Sequence, residues 1–147
     1  MLRPHKVGAA VQKIVTLKEV TLITPTASMD ATVHGGRAKC LQRFVRLEMP
    51  VPTTVAISFQ AVHGIAAGRM PDVSAILSHF GEAPLVSVRP SSQDPDWGGP
   101  GAILNIGMND ARFDAMCETM GEAAAAAVYM RFIQCYAEHV ARLDPES

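Results

Sequence analysis

No apolar run in the 147-residue chain approaches the roughly 18 residues that a membrane-spanning helix needs. Charge is equally unhelpful as a recruiting force. A formal net charge of −1 offers no general attraction to nucleic acid or to anionic membranes, so neither is expected as a partner. Cysteine is scarce and badly placed for crosslinking. Cys40, Cys117 and Cys135 are odd in number, widely spaced and form no CxxC pair, which excludes a disulfide framework and predicts buried free thiols in a reducing cytoplasm. The basic start (Arg3, Lys6, Lys13, Lys18) lacks a compact apolar stretch followed by a cleavage-type site, so no secretory signal is expected. No His/Cys/Asp/Glu cluster has zinc-like spacing, and no Ser–His–acid set can be assigned from order alone. Internal repeats and domain linkers are also missing.

What is present is apolar and patterned. Hydrophobic residues make up 48% of the chain and charged residues only 18%. Pro4 and Gly8 mark residues 1–10 as a loose arm, and 11–147 reads as a single domain. The β-branched stretch Lys13–Thr24 predicts one long strand, or two short ones turning near Lys18-Glu19. After a loop over Pro25–Asp30, a helix over Arg37–Glu48 is expected to turn Leu41, Phe44, Val45 and Leu47 inward, and Pro50 and Pro52 stop it. A buried strand over Thr53–Phe59, a short helix over Gln60–Ala67 closed by Gly68, and a helix opened by Pro71 should follow. Leu85–Val88 reads as a strand ending on Arg89, and Pro90–Gly101 as a loop. Ala102–Ile106 is left open between strand and helix. Ala111–Met120 and Glu122–Leu143 are helical, with Val128, Phe132, Tyr136, Val140 and Leu143 forming a stripe toward the body. The fold class that results is α+β, a small mixed sheet flanked by helices.

Two glycine-rich places carry the candidate chemistry. In His34-Gly35-Gly36-Arg37-Ala38-Lys39 a glycine pair runs into a helix, where backbone N–H groups approach a ligand closely and the helix start favours an anion. The motif is neither GxxxxGK[ST] nor GxGxxG, and a plain turn before a helix with exposed cations explains it as well. In Val86-Ser87-Val88-Arg89 an arginine at the end of a buried strand faces a flexible loop, well placed to fork onto a phosphate. The alternative is an Arg89 that ties down the loop through carbonyls or through Asp94 or Asp96.

Several segments, in order, resemble the N-terminal ATP-binding (ATP-grasp) lobe of the pyruvate, phosphate dikinase family, with phosphoenolpyruvate synthase a more distant cousin. Gly35–Leu41 looks like the family's GGKGANL, Met49–Pro52 like LPVPPGF, and Leu85–Arg89 like LVSVRSG. Leu104–Asp110 is similar to TVLNLGLND, Gly98 falls on a glycine of MPGMMDT, and Arg131–Gln134 resembles the following RFI helix. The resemblance implies that Gly35, Gly36, Arg37 and Arg89 lie against the phosphates of ATP or AMP, the only cofactor it offers. Arg37 stands where the family has lysine, a planar fork in place of a mobile point charge. Asp96–Ala102 has lost the Met-Met-Asp-Thr core of MPGMMDT.

The second ATP-grasp lobe with its magnesium-binding carboxylates, the phosphohistidine domain with its GGxTSH-like motif, and the pyruvate-binding barrel have no counterpart here. Phosphoryl transfer depends on metal ions and positioned charges, so no catalytic or metal residue is assigned. The five histidines match no phosphohistidine motif, and His5, His79 and His139 read as surface residues. The resulting expectation is a truncated dikinase-like protein, non-catalytic alone, acting as an accessory or regulatory subunit through a protein partner or a homo-oligomer. Eight methionines suit such adaptable contact surfaces. The alternatives are a nucleotide-binding small subunit of a split phosphotransferase and a structural domain with relic loops. Met1 and the polar Asp144–Ser147 ending read as natural termini.

Overall fold

The computed structural model describes residues 19–93 and 101–143. The chain divides into two compact units, Met1–His79 with Ser91–Trp97 and Phe80–Pro90 with Gly98–Ser147. Its class is α+β. In place of one mixed sheet, the described residues hold two two-stranded antiparallel sheets. No helix among them is long and apolar enough to cross a membrane.

In the first unit β1 (Val20–Leu22) pairs with β2 (Val55–Ile57), with Thr21 opposite Ala56. Opposed residues share a face, so Thr21 and Ala56 lie on one side and the Val20/Ile57 and Leu22/Val55 pairs on the other. Ala56 joins Ile23, Met29 and Ala38 in the core, with Leu41 and Val45 packed partly against it. Ala38, Leu41 and Val45 come from α2 (Gly36–Arg46), which follows a single-turn helix α1 (Ala31–His34). The inward face of α2 therefore differs from the expected one. Phe44 and Leu47 are exposed, and a polar residue, Gln42, is among the most deeply buried side chains.

Gln42 is inside because of what it reaches. Its Nε2 donates to the Thr24 carbonyl at 3.0 Å and to the Ala27 carbonyl. Lys39 Nζ donates to Met29 O at 2.7 Å and Arg46 Nε to Pro25 O at 2.8 Å. Lys39, Gln42 and Arg46 share one side of α2 by helical spacing, and together they bind the carbonyls of the loop over residues 24–29. A loop without ladder partners has its acceptors satisfied this way.

The C-terminal end of α2 is a Schellman-type closure. Glu48 N–H reaches Val45 O at 3.1 Å and Met49 N–H reaches Phe44 O at 3.0 Å. This puts Glu48 at φ 55°, a position that favours glycine. Glu48→Gly is expected to raise stability by about 0.5–1 kcal/mol, read as an upward shift of the urea midpoint. Beyond it, Ser58 caps α3 (Phe59–Ala66) by accepting from Ala61 N–H at 3.1 Å. Asp72 caps the short α4 (Val73–Leu77), so Pro71 lies outside the helix it was expected to open. Val73 and Leu77 are exposed.

In the second unit β3 (Val86–Val88) pairs with β4 (Ile103–Ile106), with an irregularity in register between Val86 and Val88. Ser87 and Val88 are exposed, so the strand before Arg89 is not the buried one expected. Helices α5 (Asp110–Met120) and α6 (Glu122–His139) pack on each other, and α6 also packs on β4. Alanine at 123–127 gives α6 a strong helix former and a thin face, and Ala125 is fully buried there. Phe113 and Tyr129 meet at 6.0 Å between ring centroids. The expected inward stripe runs only part of the way. Val128 and Phe132 are half-buried, whereas Tyr136, Val140 and Leu143 are exposed.

The cysteines also depart from expectation. All three are free, but Cys40 is exposed and Cys117 and Cys135 are only half-buried. Desolvation, with Glu122 and Asp114 nearby, pushes the Cys117 thiol up and keeps it protonated. The segment 13–18, read as strand, lies outside the described residues.

Candidate functional site

The site suggested by the sequence is built where α1 ends and α2 begins. Asp30 starts α1: its Oδ1 accepts from Thr32 N–H at 2.7 Å and from the Thr32 hydroxyl at 2.8 Å. The Thr32 hydroxyl and then its N–H hold the Asp30 carboxyl below the usual carboxylate range. Gly35 closes α1, its N–H bonding Ala31 O at 3.0 Å, and serves at once as the N-cap of α2. It sits at φ 87° and ψ 161°, a conformation that only glycine adopts readily.

Having no side chain, Gly35 cannot cap α2 itself. Ser91 does so across the fold. Its Oγ accepts from Ala38 N–H at 3.4 Å, and Ser92 O accepts from Gly36 N–H at 2.7 Å. Gln93 Nε2 adds a bond to Thr32 O at 3.2 Å. Two of the backbone N–H groups that would receive a phosphate at a helix start, those of Gly36 and Ala38, are thus engaged by residues 91–92 of the same chain. The approach is so close that a Cβ on Gly35 would lie 2.2 Å from Ser91 Oγ and 2.8 Å from the Ser91 carbonyl carbon.

Gly35, Gly36 and Arg37 therefore stand together, joined by Ser91, Ser92 and Gln93. Arg37 is half-buried on the first turn of α2. Arg89 is exposed and follows β3 in the second unit. Among the described residues neither arginine has an ion pair or a side-chain hydrogen bond. Lys39, the other cation of the segment, is engaged with Met29 O. Asp94 and Asp96, the alternative partners of Arg89, lie outside the described residues, as do Gly98, Gly99 and Pro100.

Two features were not visible in the sequence. The Ser91 cap joins residues far apart in the chain, with no periodic signal at either end. His34 is 5% exposed, its Nδ1 accepting from Asp30 N–H at 3.4 Å while Nε2 has no partner. The Nδ1 bond assigns the neutral ring its proton on Nε2. Its spacing before a glycine pair gave no indication of burial.

The Leu104–Asp110 segment, the most detailed part of the dikinase resemblance, is occupied with holding the second unit together. Asn105 Nδ2 donates to Val128 O at 3.2 Å, tying β4 to α6. Met108 is buried. Asn109 caps α5 by accepting from Arg112 N–H at 2.9 Å. Asp110 accepts the Tyr129 hydroxyl at 2.8 Å, and that hydrogen bond raises the tyrosine pKa.

The described residues contain no group of His, Cys, Asp and Glu able to hold a metal ion. An open groove of about 320 Å³ is lined by Leu22, Ile23, Val45, Met49, Val51 and Pro52, with Glu48 its charged member. It lies at the C-terminal end of α2, roughly 16 Å of helix away from the glycine pair at 1.5 Å per residue. It is open, its lining is of mixed polarity, and it is remote from the candidate site. No family model, curated protein or solved structure matches the chain.

Proposed function

We propose that the chain is a truncated pyruvate, phosphate dikinase-like protein, non-catalytic on its own, that acts as an accessory or regulatory subunit through a protein-contact surface. The reading starts from the sequence resemblance. The observation that carries it further is the outer side of α6, where Met130, Ile133 and Tyr136 are 57%, 54% and 49% exposed. Val140 and Leu143, past the helix end, are also exposed. Large side chains grouped this way mark a contact surface more often than single exposed residues do. Methionine at position 130 suits contact with differently shaped partners.

Sedimentation velocity across the micromolar range tests the self-association form. Reversible, concentration-dependent association is expected, and Ile133→Asp should weaken it at least tenfold by placing a charge in the middle of the face. Ile133 is already half in solvent, so the variant should keep its melting temperature. A monomer at every concentration removes self-association.

A second reading, the adenine-nucleotide-binding small subunit of a split phosphotransferase, rests on the sequence resemblance at Gly35–Leu41 and Leu85–Arg89. Arg37 and Arg89 are cations without partners among the described residues. Under that reading a phosphate must compete with Ser91 and Ser92 for the N–H groups of α2.

A further inference from the structure

We draw no further inference here: the strongest candidate, the exposed apolar face of α6 formed by Met130, Ile133 and Tyr136 with Val140 and Leu143 beyond it, carries nothing more because nothing in the structure shows what covers it.

Discussion

Gly35→Ala is expected to destabilise the first unit by about 2–4 kcal/mol, from positive-φ strain and lost capping taken together. Two effects act in the same direction. At φ 87° any Cβ is strained, and here the added carbon would stand 2.2 Å from Ser91 Oγ. Rotating the serine away does not remove the problem, because the Ser91 carbonyl carbon is 2.8 Å from the same point. The segment must move, and the bonds from Gly36 and Ala38 to Ser92 and Ser91 go with it. Ser91→Ala separates the terms. It deletes only the long 3.4 Å cap and should cost about 1 kcal/mol or less. Urea unfolding followed by a probe in the first unit distinguishes the two variants. If Gly35→Ala costs no more than Ser91→Ala, the close approach of residue 91 to the glycine is wrong.

Gly107→Ala should have an effect of similar size, about 2–4 kcal/mol, confined to the second unit. Gly107 lies at φ 106°, further from ordinary left-handed geometry than Gly35, and its Cβ would meet the Pro84 carbonyl oxygen at 2.7 Å. That oxygen is backbone and has no rotamer by which to yield. Relief requires the Pro84–Leu85 approach to β3 to separate from the end of β4, which disturbs the pairing of Val86 with Ile106. Because the chain has two units, the substitution should lower one transition and leave the other in place. Hydrogen exchange should show faster amide exchange in β3 and β4 and unchanged protection in α2. An equal loss of protection in both units would contradict the assignment.

Much of the helical architecture was legible because its start and stop signals are local. The glycine pair, Pro50 and Pro52 bracket α2, and Gly68 follows α3. The gap between Met120 and Glu122 separates α5 from α6. The single turn that Asp30 opens, Ala31–His34, falls next to the segment read as a loop and is too short for periodicity to register. The faces of the helices were harder to read. Gln42 counts as outward on any hydropathy pattern, yet carbonyls of the loop over 24–29 draw it in. Tyr136 and Val140 fit an inward stripe by spacing, yet they are 49% and 46% exposed among the described residues. Strand pairing was out of reach, because three- and four-residue strands carry too few alternations to say which partner each takes.

The candidate site divides the same way. Its glycine pair and the arginine after it were legible as a helix start. The serine that completes that start was not, since Ser91 is placed by tertiary structure alone. A helix start with the N–H groups of Gly36 and Ala38 already bonded has less to offer an anion than the sequence implied, because a ligand must first displace a hydrogen-bonded segment. The accessory and nucleotide-binding readings differ in whether a nucleotide displaces that segment.

Calorimetric titration of the purified chain with ATP and AMP tests that distinction most directly. With Ser91 and Ser92 holding the first turn of α2, no saturable heat is expected for either nucleotide up to millimolar concentration. Saturable binding at micromolar concentration, weakened tenfold or more by Arg37→Ala or Arg89→Ala, would overturn the accessory reading in favour of a nucleotide-binding subunit.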